Sequence, residues 1–337
     1  MEELEKQAID TDNELYEHYR VVVDKGQSPL RIDKFLFSRI ENASRNKIQN
    51  AAKAECILVN GIAVKQNYKI KPQDIISIVM PEPPRNTEVI PQDIPIDIVY
   101  EDDDILIVNK AAGMVVHPSY ANYDGTLVNA LTYYLNQEGK GEKPELVHRI
   151  DKDTTGLLLV AKNEIAQTKL AKQFYDHSIE RRYQALVWGD FDEDEGTING
   201  NLARHPKDRR IVAVYPDGSQ GRTAITHYKV LERFGYVTLI ECKLETGRTH
   251  QIRAHLQFIK HPLFGDPTYG GDIIVKGTTF TKYKQFVTNC FSILPRQALH
   301  AKTLGFIHPT TNKFIQFDSE LPDDMKEVLE KWRKYKA

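Results

Sequence analysis

The densest run of polar groups in the chain is His148-Arg149-Ile150-Asp151-Lys152-Asp153-Thr154-Thr155-Gly156, set between a loop with Gly139, Gly141 and Pro144 and the apolar run Leu157–Val160. Arg149 and Lys152 flank Asp151, and neighbouring cations favour the ionised form of a carboxylate. A loop that runs straight into a buried strand can also present such a group rigidly. As a bare pattern the run equally fits a solvated turn whose charges pair locally, an arrangement that stabilises little. A second run, Thr246-Gly247-Arg248-Thr249-His250-Gln251-Ile252-Arg253-Ala254-His255, lies where a strand ends and an amphipathic helix starts. Burial of Ile252, Leu256 and Ile259 would place Arg248 near the helix N-terminus and Arg253 beside the apolar stripe, where an arginine needs a partner. His250 and His255 are five apart rather than the four of HExxH, so they read as structural histidines rather than metal ligands. The third run, Arg204-His205-Pro206-Lys207-Asp208-Arg209-Arg210, holds four bases and one acid and reads as a hairpin or loop, either simply exposed or a phosphate-contacting surface. In Glu180-Arg181-Arg182-Tyr183, just before a strand, Tyr183 faces core or cleft, and the sequence alone favours the core.

Several chemistries have no visible support. Neither GxGxxG nor GxxxxGK[ST] occurs, so a nucleotide cofactor lacks a phosphate cradle. Cys56, Cys242 and Cys290 are far apart and form no CxxC, which argues against a disulfide framework or a zinc site and suits a reducing cytoplasm. There is no signal-like apolar run at the N-terminus and no stretch near the roughly 20 apolar residues of a membrane span. No membrane partner is expected.

The elements that must carry these residues form a chain of 337 residues, 41% hydrophobic and 27% charged, within the range of globular proteins. That length suits one large or two ordinary domains. The net charge of -2 is partly a cancellation: residues 1–20 hold seven acids and two bases, and residues 21–80 hold ten bases and five acids. The first segment reads as an acidic tail. Residues 21–80 read as a compact basic unit, with a short helical face at Phe35, Leu36 and Ile40, and a second helix capped by Ser44 and carrying Ile48, Ala51 and Ala52. A hairpin about Asn60-Gly61 and a strand at Ile75–Val79 complete it. Prolines at 81, 83, 84, 91 and 95 mark residues 81–95 as a semi-rigid linker. Beyond it, strands are expected at Ile105–Val108, Leu157–Val160, Ala185–Trp188, Thr226–Val230 and Val237–Leu244. Helical stripes are expected at Leu127/Leu131/Tyr134, Ala166/Leu170/Phe174 and Ile252/Leu256/Ile259. Hairpin-like spacings are as common as helical crossovers, which favours an α+β fold over a doubly wound parallel sheet.

His148-Arg149-Ile150-Asp151 through Thr154-Thr155-Gly156-Leu157-Leu158-Leu159-Val160-Ala161-Lys162 resembles the HRLDxxTSGLLLVAK motif of RluA-type pseudouridine synthases, which isomerise uridine in ribosomal and transfer RNA. Tyr100–Asp104, Val116-His117-Pro118, Gly125–Leu131, Thr246–His255, Gly265–Gly270 and Arg296–Ala301 follow in that family's order, and residues 30–80 resemble the S4 RNA-binding domain. The resemblance covers roughly 95–315 beside the S4-like unit and is closest to the subgroup acting on large-subunit ribosomal RNA. Ile150 and Thr155 replace the usual Leu and Ser conservatively, and Ala111 replaces the commoner Pro after Lys110.

The resemblance implies a catalytic domain over 96–337 with a mixed, largely antiparallel sheet, and Asp151 as nucleophile. A carboxylate suits that task because it can both attack and leave. It implies Tyr183 as the active-site tyrosine on the uracil face, placed to help remove the C5 proton, and Arg253 as the partner of Asp151, with Arg248 the near alternative. Arg149 would fill the gap left by the flipped base or contact a phosphate. His148 would orient the loop. No cofactor or metal is implied. RNA is the implied partner, most naturally large-subunit ribosomal RNA or a pre-ribosomal particle, bound by a monomer. Arg31, Lys34, Arg45 and Lys47 of the S4-like unit, together with Arg204, Arg209, Arg210 and Arg248, are its candidate contacts. The competing readings are an idle S4-type RNA-binding protein, the same isomerase acting on transfer RNA, and a hydrolase using Asp151 and His148. The last lacks a Ser or Cys nucleophile motif.

Overall fold

The computed structural model describes residues 16–40, 43–80, 89–118, 122–137, 144–208 and 210–335. Two compact units divide near residue 88. Arg209, the loop at Gly139 and Gly141, the acidic residues before 16 and the prolines at 81, 83 and 84 lie outside the described residues.

The first unit runs β1 (Tyr16–Val22), α1 (Ile32–Phe37), α2 (Arg45–Lys53), β2 (Ile57–Val59), β3 (Ile62–Ala63) and β4 (Ile75–Met80), with sheet order β1-β4-β2-β3. Ser44 caps α2, its hydroxyl accepting from Lys47 N–H. Asn60 (φ 50°) and Gly61 (φ 83°) both take the left-handed conformation that a two-residue hairpin turn requires. Ile32, Phe35, Leu36, Ile48, Ile57 and Ile76 form the core. Two expectations need correction. Residues 16–20 are not tail but the start of β1, which pairs antiparallel with β4. Alternating Tyr19, Val21 and Val23 pack on the core, an apolar pattern that the surrounding acids obscure. Helix α1 ends at Phe37, so Ile40 packs from beyond it. Asp33 is fully buried, and Arg31, Gln49 and Arg45 all donate to it. Burial pushes its pKa up, but these donors outweigh it and bring the group to about 2.

The second unit begins before its first strand. Asn129 Nδ2 donates to Ile90 O and Gln92 N–H donates to Asn129 O, so residues 90–92 are fastened to the body rather than free linker. Next come β5 (Asp97–Glu101), β6 (Ile105–Lys110), α3 (Leu127–Gln137), β7 (Glu145–Leu146), β8 (Thr155–Ala161), α4 (Glu164–Tyr175) and β9 (Glu180–Trp188). Then follow β10 (Glu195–Asn199), β11 (Asn201–Arg204), β12 (Val212–Tyr215), β13 (Ile225–Arg233), β14 (Val237–Leu244) and α5 (Gln251–Phe258). The chain ends with α6 (Thr281–Ile293), β15 (Leu299–Ile307), β16 (Phe314–Asp318) and α7 (Asp323–Tyr335).

Among the described residues, ten strands make one sheet, with path β10-β13-β14-β9-β15-β8-β6-β5, β16 on β15 and β7 on β8. Only β8 and β15 run parallel, so the fold is α+β as expected. β8 is buried along its whole length and alternates between two cores. Leu158 and Val160 face the side covered by α3 and α5, and Leu157 and Leu159 face α4. Further along the sheet, Ala185 and Val187 join the first face, whereas Leu186 and Trp188 meet α6 and α7 through Val287, Cys290, Leu329 and Trp332. β11 and β12 form a separate hairpin that carries the basic loop around 204–210.

Across the middle of the sheet Gly156, Ala301, Tyr183 and Cys242 lie side by side on neighbouring strands. Gly156 has φ +108°, and a Cβ there would sit 2.3 Å from Ala301 O. Glycine is therefore required twice over, by conformation and by space. Gly156→Ala is expected to lower stability by about 2–4 kcal/mol through strain and overpacking, read as a lower denaturant midpoint with an unchanged slope.

Candidate active site

Asp151 sits in the turn between β7 and β8, where Thr154 N–H donates to Asp151 O. The turn is gripped from below by two buried cations. Lys110, at the end of β6, donates from Nζ to Ala111 O, Met114 O and Lys152 O at 2.7, 2.9 and 2.7 Å. Arg296 donates from Nη1 to Asp153 O while its other nitrogens clasp Asp324 of α7. Burial pulls Lys110 down to about 7 against the opposing charge of Asp153. Gln297 Nε2 donates to Thr154 Oγ1, and the Thr155 hydroxyl meets His300 Nδ1 at 2.8 Å. His148 closes the near side. Its Nε2 accepts from Leu159 N–H at 2.9 Å and its ring stacks on Phe174.

Arg253, on the buried face of α5, reaches Asp151 with Nη1 donating to Oδ2 at 3.0 Å. Its remaining fork, Nε and Nη2, donates to both oxygens of the fully buried Asp266 at 2.7 and 2.9 Å. Desolvation opposes the charge on Arg253, but the two carboxylates outweigh it and raise its pKa. Arg248 points elsewhere, with Nε donating to Thr223 O. The backbone there is held locally: the Gln251 side chain collects Thr246 Oγ1 and Arg248 N–H on its Oε1 and donates to Ile225 O. His250 begins α5 in the left-handed conformation (φ 55°), with Nε2 3.9 Å from Asp151 Oδ2 and Nδ1 against Tyr269 Oη.

Tyr183 projects from β9 on the same face and joins Asp151 and Arg253 around a small hollow of about 60 Å³. Its phenol is pushed above the ordinary value by burial, with Arg181 opposing and Asp151 adding to the rise. From Asp151 two larger hollows open. One of about 720 Å³ contains Arg149, Arg181, Tyr183, Arg222 and Arg248, and one of about 400 Å³ contains His117, Arg149, Lys152 and Arg210. Arg204 lines a further cleft of about 270 Å³ with Arg222 and Arg248. Of the contacts expected from the first unit, Arg31 and Arg45 pair with Asp33, and Lys34 and Lys47 are exposed.

Sequence reasoning brought Asp151, Tyr183 and Arg253 together. It missed Asp266, Lys110 and Arg296 as supports. Lys110 closing an apolar strand run was the available signal, since a lysine there must find acceptors. Among the described residues Asp102, Asp104 and His308 also bring their polar atoms together, at the β5–β6 turn. Those atoms accept from Asp104 N–H, Ile105 N–H and Asn163 or pair with one another, and the group lines none of the hollows at Asp151. No helix among the described residues is long and apolar enough to cross a membrane.

Residues 104–258 match the RNA pseudouridylate synthase family and residues 30–76 match the S4 domain. The chain is 46% identical over 317 residues to an uncharacterized RNA pseudouridine synthase of Chlorobaculum parvum, covering 92% of this chain and 96% of that one. The chain belongs to the RNA pseudouridylate synthase family. It is accordingly an isomerase acting on RNA uridine. It is also 45% identical over 303 residues to the ribosomal large subunit pseudouridine synthase D of Zymomonas mobilis, covering 88% of this chain and 92% of that protein. The human RNA pseudouridylate synthase domain containing 4 shares the synthase fold, with a TM-score of 0.54 at 21% identity over 70% of this chain and 93% of its own.

His148 gives the synthase a pH signature. Burial, reinforced by the charge of Arg181, drives it from 6.5 down to about 3. The unfolded chain takes up that proton near 6.5 and the folded chain only near 3, so stability is lost as pH falls through this window. A His148→Phe variant keeps the stack on Phe174 but lacks this penalty. Its stability deficit relative to wild type is expected to narrow between pH 7 and pH 4 in urea titrations.

Proposed function

We propose that this chain converts uridine to pseudouridine in large-subunit ribosomal RNA, with Asp151 as the nucleophile. The observation that carries the reading is the line Asp266, Arg253, Asp151. A buried carboxylate fixes a guanidinium, and the guanidinium aims one donor at a second carboxylate standing where three hollows meet. Asp151 attacks the target nucleotide and the N-glycosidic bond breaks; the freed uracil turns, C5 joins the ribose as the bond to Asp151 breaks, and the proton lost from C5 is matched by one taken up at N1, so the net change is an isomerisation. Arg253 orients the attacking group through the Nη1 hydrogen bond to its Oδ2. Arg149, exposed beside Asp151, takes the place of the extruded base.

For Tyr183 the geometry favours one of its two foreseen roles. A phenol whose pKa is raised by burial is a poor base but a good platform, and stacking a base on an aromatic ring contributes about 1–3 kcal/mol. That helps offset the few kcal/mol needed to extrude the uridine from its stack. The S4 unit, with Lys34 and Lys47 exposed, and the β11–β12 hairpin supply contacts to the RNA backbone. The substrate assignment rests on similarity to ribosomal large subunit pseudouridine synthases over nearly the whole chain. Naked ribosomal RNA and pre-ribosomal particles are its two candidate forms. The chain acts as a monomer in the cytoplasm, where both are found.

Asp151→Asn is expected to reduce pseudouridine formation on a large-subunit ribosomal RNA transcript to background while RNA affinity stays within a few-fold. Pseudouridine formation by the purified variant at the wild-type rate would overturn the assignment of the nucleophile.

A further inference from the structure

Arg181 is the side chain that the reaction so far leaves unused. It lies two positions before Tyr183 on β9, hence on the same face of the strand, and is 7% exposed. Its buried Nε has no hydrogen-bond partner. Among the described residues no carboxylate pairs with it; its charged neighbour is another cation, Arg248. The Phe174 ring 5.4 Å away is a favourable contact for the charge, and Tyr183 also favours it. Buried charges are normally paired because an unpaired one is costly. The fold nevertheless keeps room for this one: a Cβ on Gly247 would fall 2.5 Å from Arg181 Nη1.

The surroundings indicate what completes the pairing. Arg181 lines the 720 Å³ cleft that begins at Asp151 and Tyr183, and Arg149, Arg222 and Arg248 line it too. Arg222 is exposed, and the cleft beyond Arg222 and Arg248 continues to the β11–β12 hairpin at Arg204. A series of guanidiniums leading away from the reacting carboxylate matches the spaced anions of a nucleic-acid strand, and a planar guanidinium suits a phosphate oxygen pair.

We propose that Arg181, with Arg222 and Arg248, forms a subsite for a backbone phosphodiester of the RNA strand next to the uridine engaged at Asp151. The proposal rests on Asp151 being the reacting group, since that fixes where the uridine lies. It makes Arg181 a residue that reads strand path rather than chemistry. The phosphate supplies the counter-charge the folded protein lacks, so binding and desolvation are coupled at this point.

The test is binding of a fluorescent oligouridylate of about ten residues to the full-length protein at several salt concentrations. Arg181→Met and Arg222→Gln are each expected to weaken binding about five- to tenfold at low salt and to flatten the plot of log affinity against log salt by about 0.7. Arg222 is exposed, so its variant reports on the subsite even if Arg181→Met does not fold. Salt slopes equal to wild type in Arg222→Gln, and in Arg181→Met if it folds, overturn the proposal. Inorganic phosphate that protects wild type against thermal unfolding as well as the oligonucleotide does, at equal phosphate concentration, also overturns it by assigning the site to a free anion. Asp151→Asn separates this from the nucleophile assignment: it should keep the wild-type slope, and its activity tests the assignment alone.

Discussion

Everything at the site depends on a guanidinium that cannot move. Arg253 spends two of its donors on Asp266, and Asp266 Oδ1 in turn accepts from Thr268 and Tyr269 N–H, so both ends of the pair are fixed. The Tyr269 ring lies 5.1 Å from the Arg253 guanidinium carbon. The third nitrogen, Nη1, is left to face Asp151, and its direction is set before any substrate arrives. A lysine could neither fork around Asp266 nor keep that direction, because an ammonium is a point charge on a flexible stem. The loop that carries Asp266 is equally constrained, since a Cβ on Gly265 would approach Arg296 O to 2.3 Å.

The opposite wall is held differently. The turn bearing Asp151 is anchored chiefly through backbone carbonyls, by Lys110 at Lys152 O and Arg296 at Asp153 O, so neither of these cations occupies the Asp151 carboxylate. Carbonyl anchoring also leaves the carboxylate of Asp151 with one guanidinium rather than several competing cations. The two walls thus divide the work of positioning, with charge pairing on α5 and backbone capture on the β7–β8 turn. β8, β15 and β9 bring them together.

Much of this was legible in the sequence because it was local. Asn60-Gly61 and Ser44 announce their turn and cap by residue type, and the apolar runs of β6, β8 and β14 announce strands. The three residues around the small hollow were legible through motif resemblance, since periodicity by itself assigned Tyr183 to the core. Asp266, Lys110 and Arg296 were not, because their meaning lies in partners 13, 42 and 143 residues away. Asp33 is similar: a carboxylate in a helical stripe reads as solvent-facing until three donors converge on it. Tyr16–Val22 failed for the opposite reason, a local charge bias that hid a period of two.

The side-by-side placement of Gly156, Ala301 and Tyr183 has a consequence in time as well as in space. Thr155 and His300, which lock the strand after the Asp151 turn, are 145 residues apart in the chain. Contacts across such separations form after local ones because a long loop must be closed first. During synthesis the β7–β8 turn therefore leaves the ribosome long before β15 exists to seat it. The nascent enzyme can fold its N-terminal unit early, yet Asp151 is set in place only when the last strands and α7 have been made.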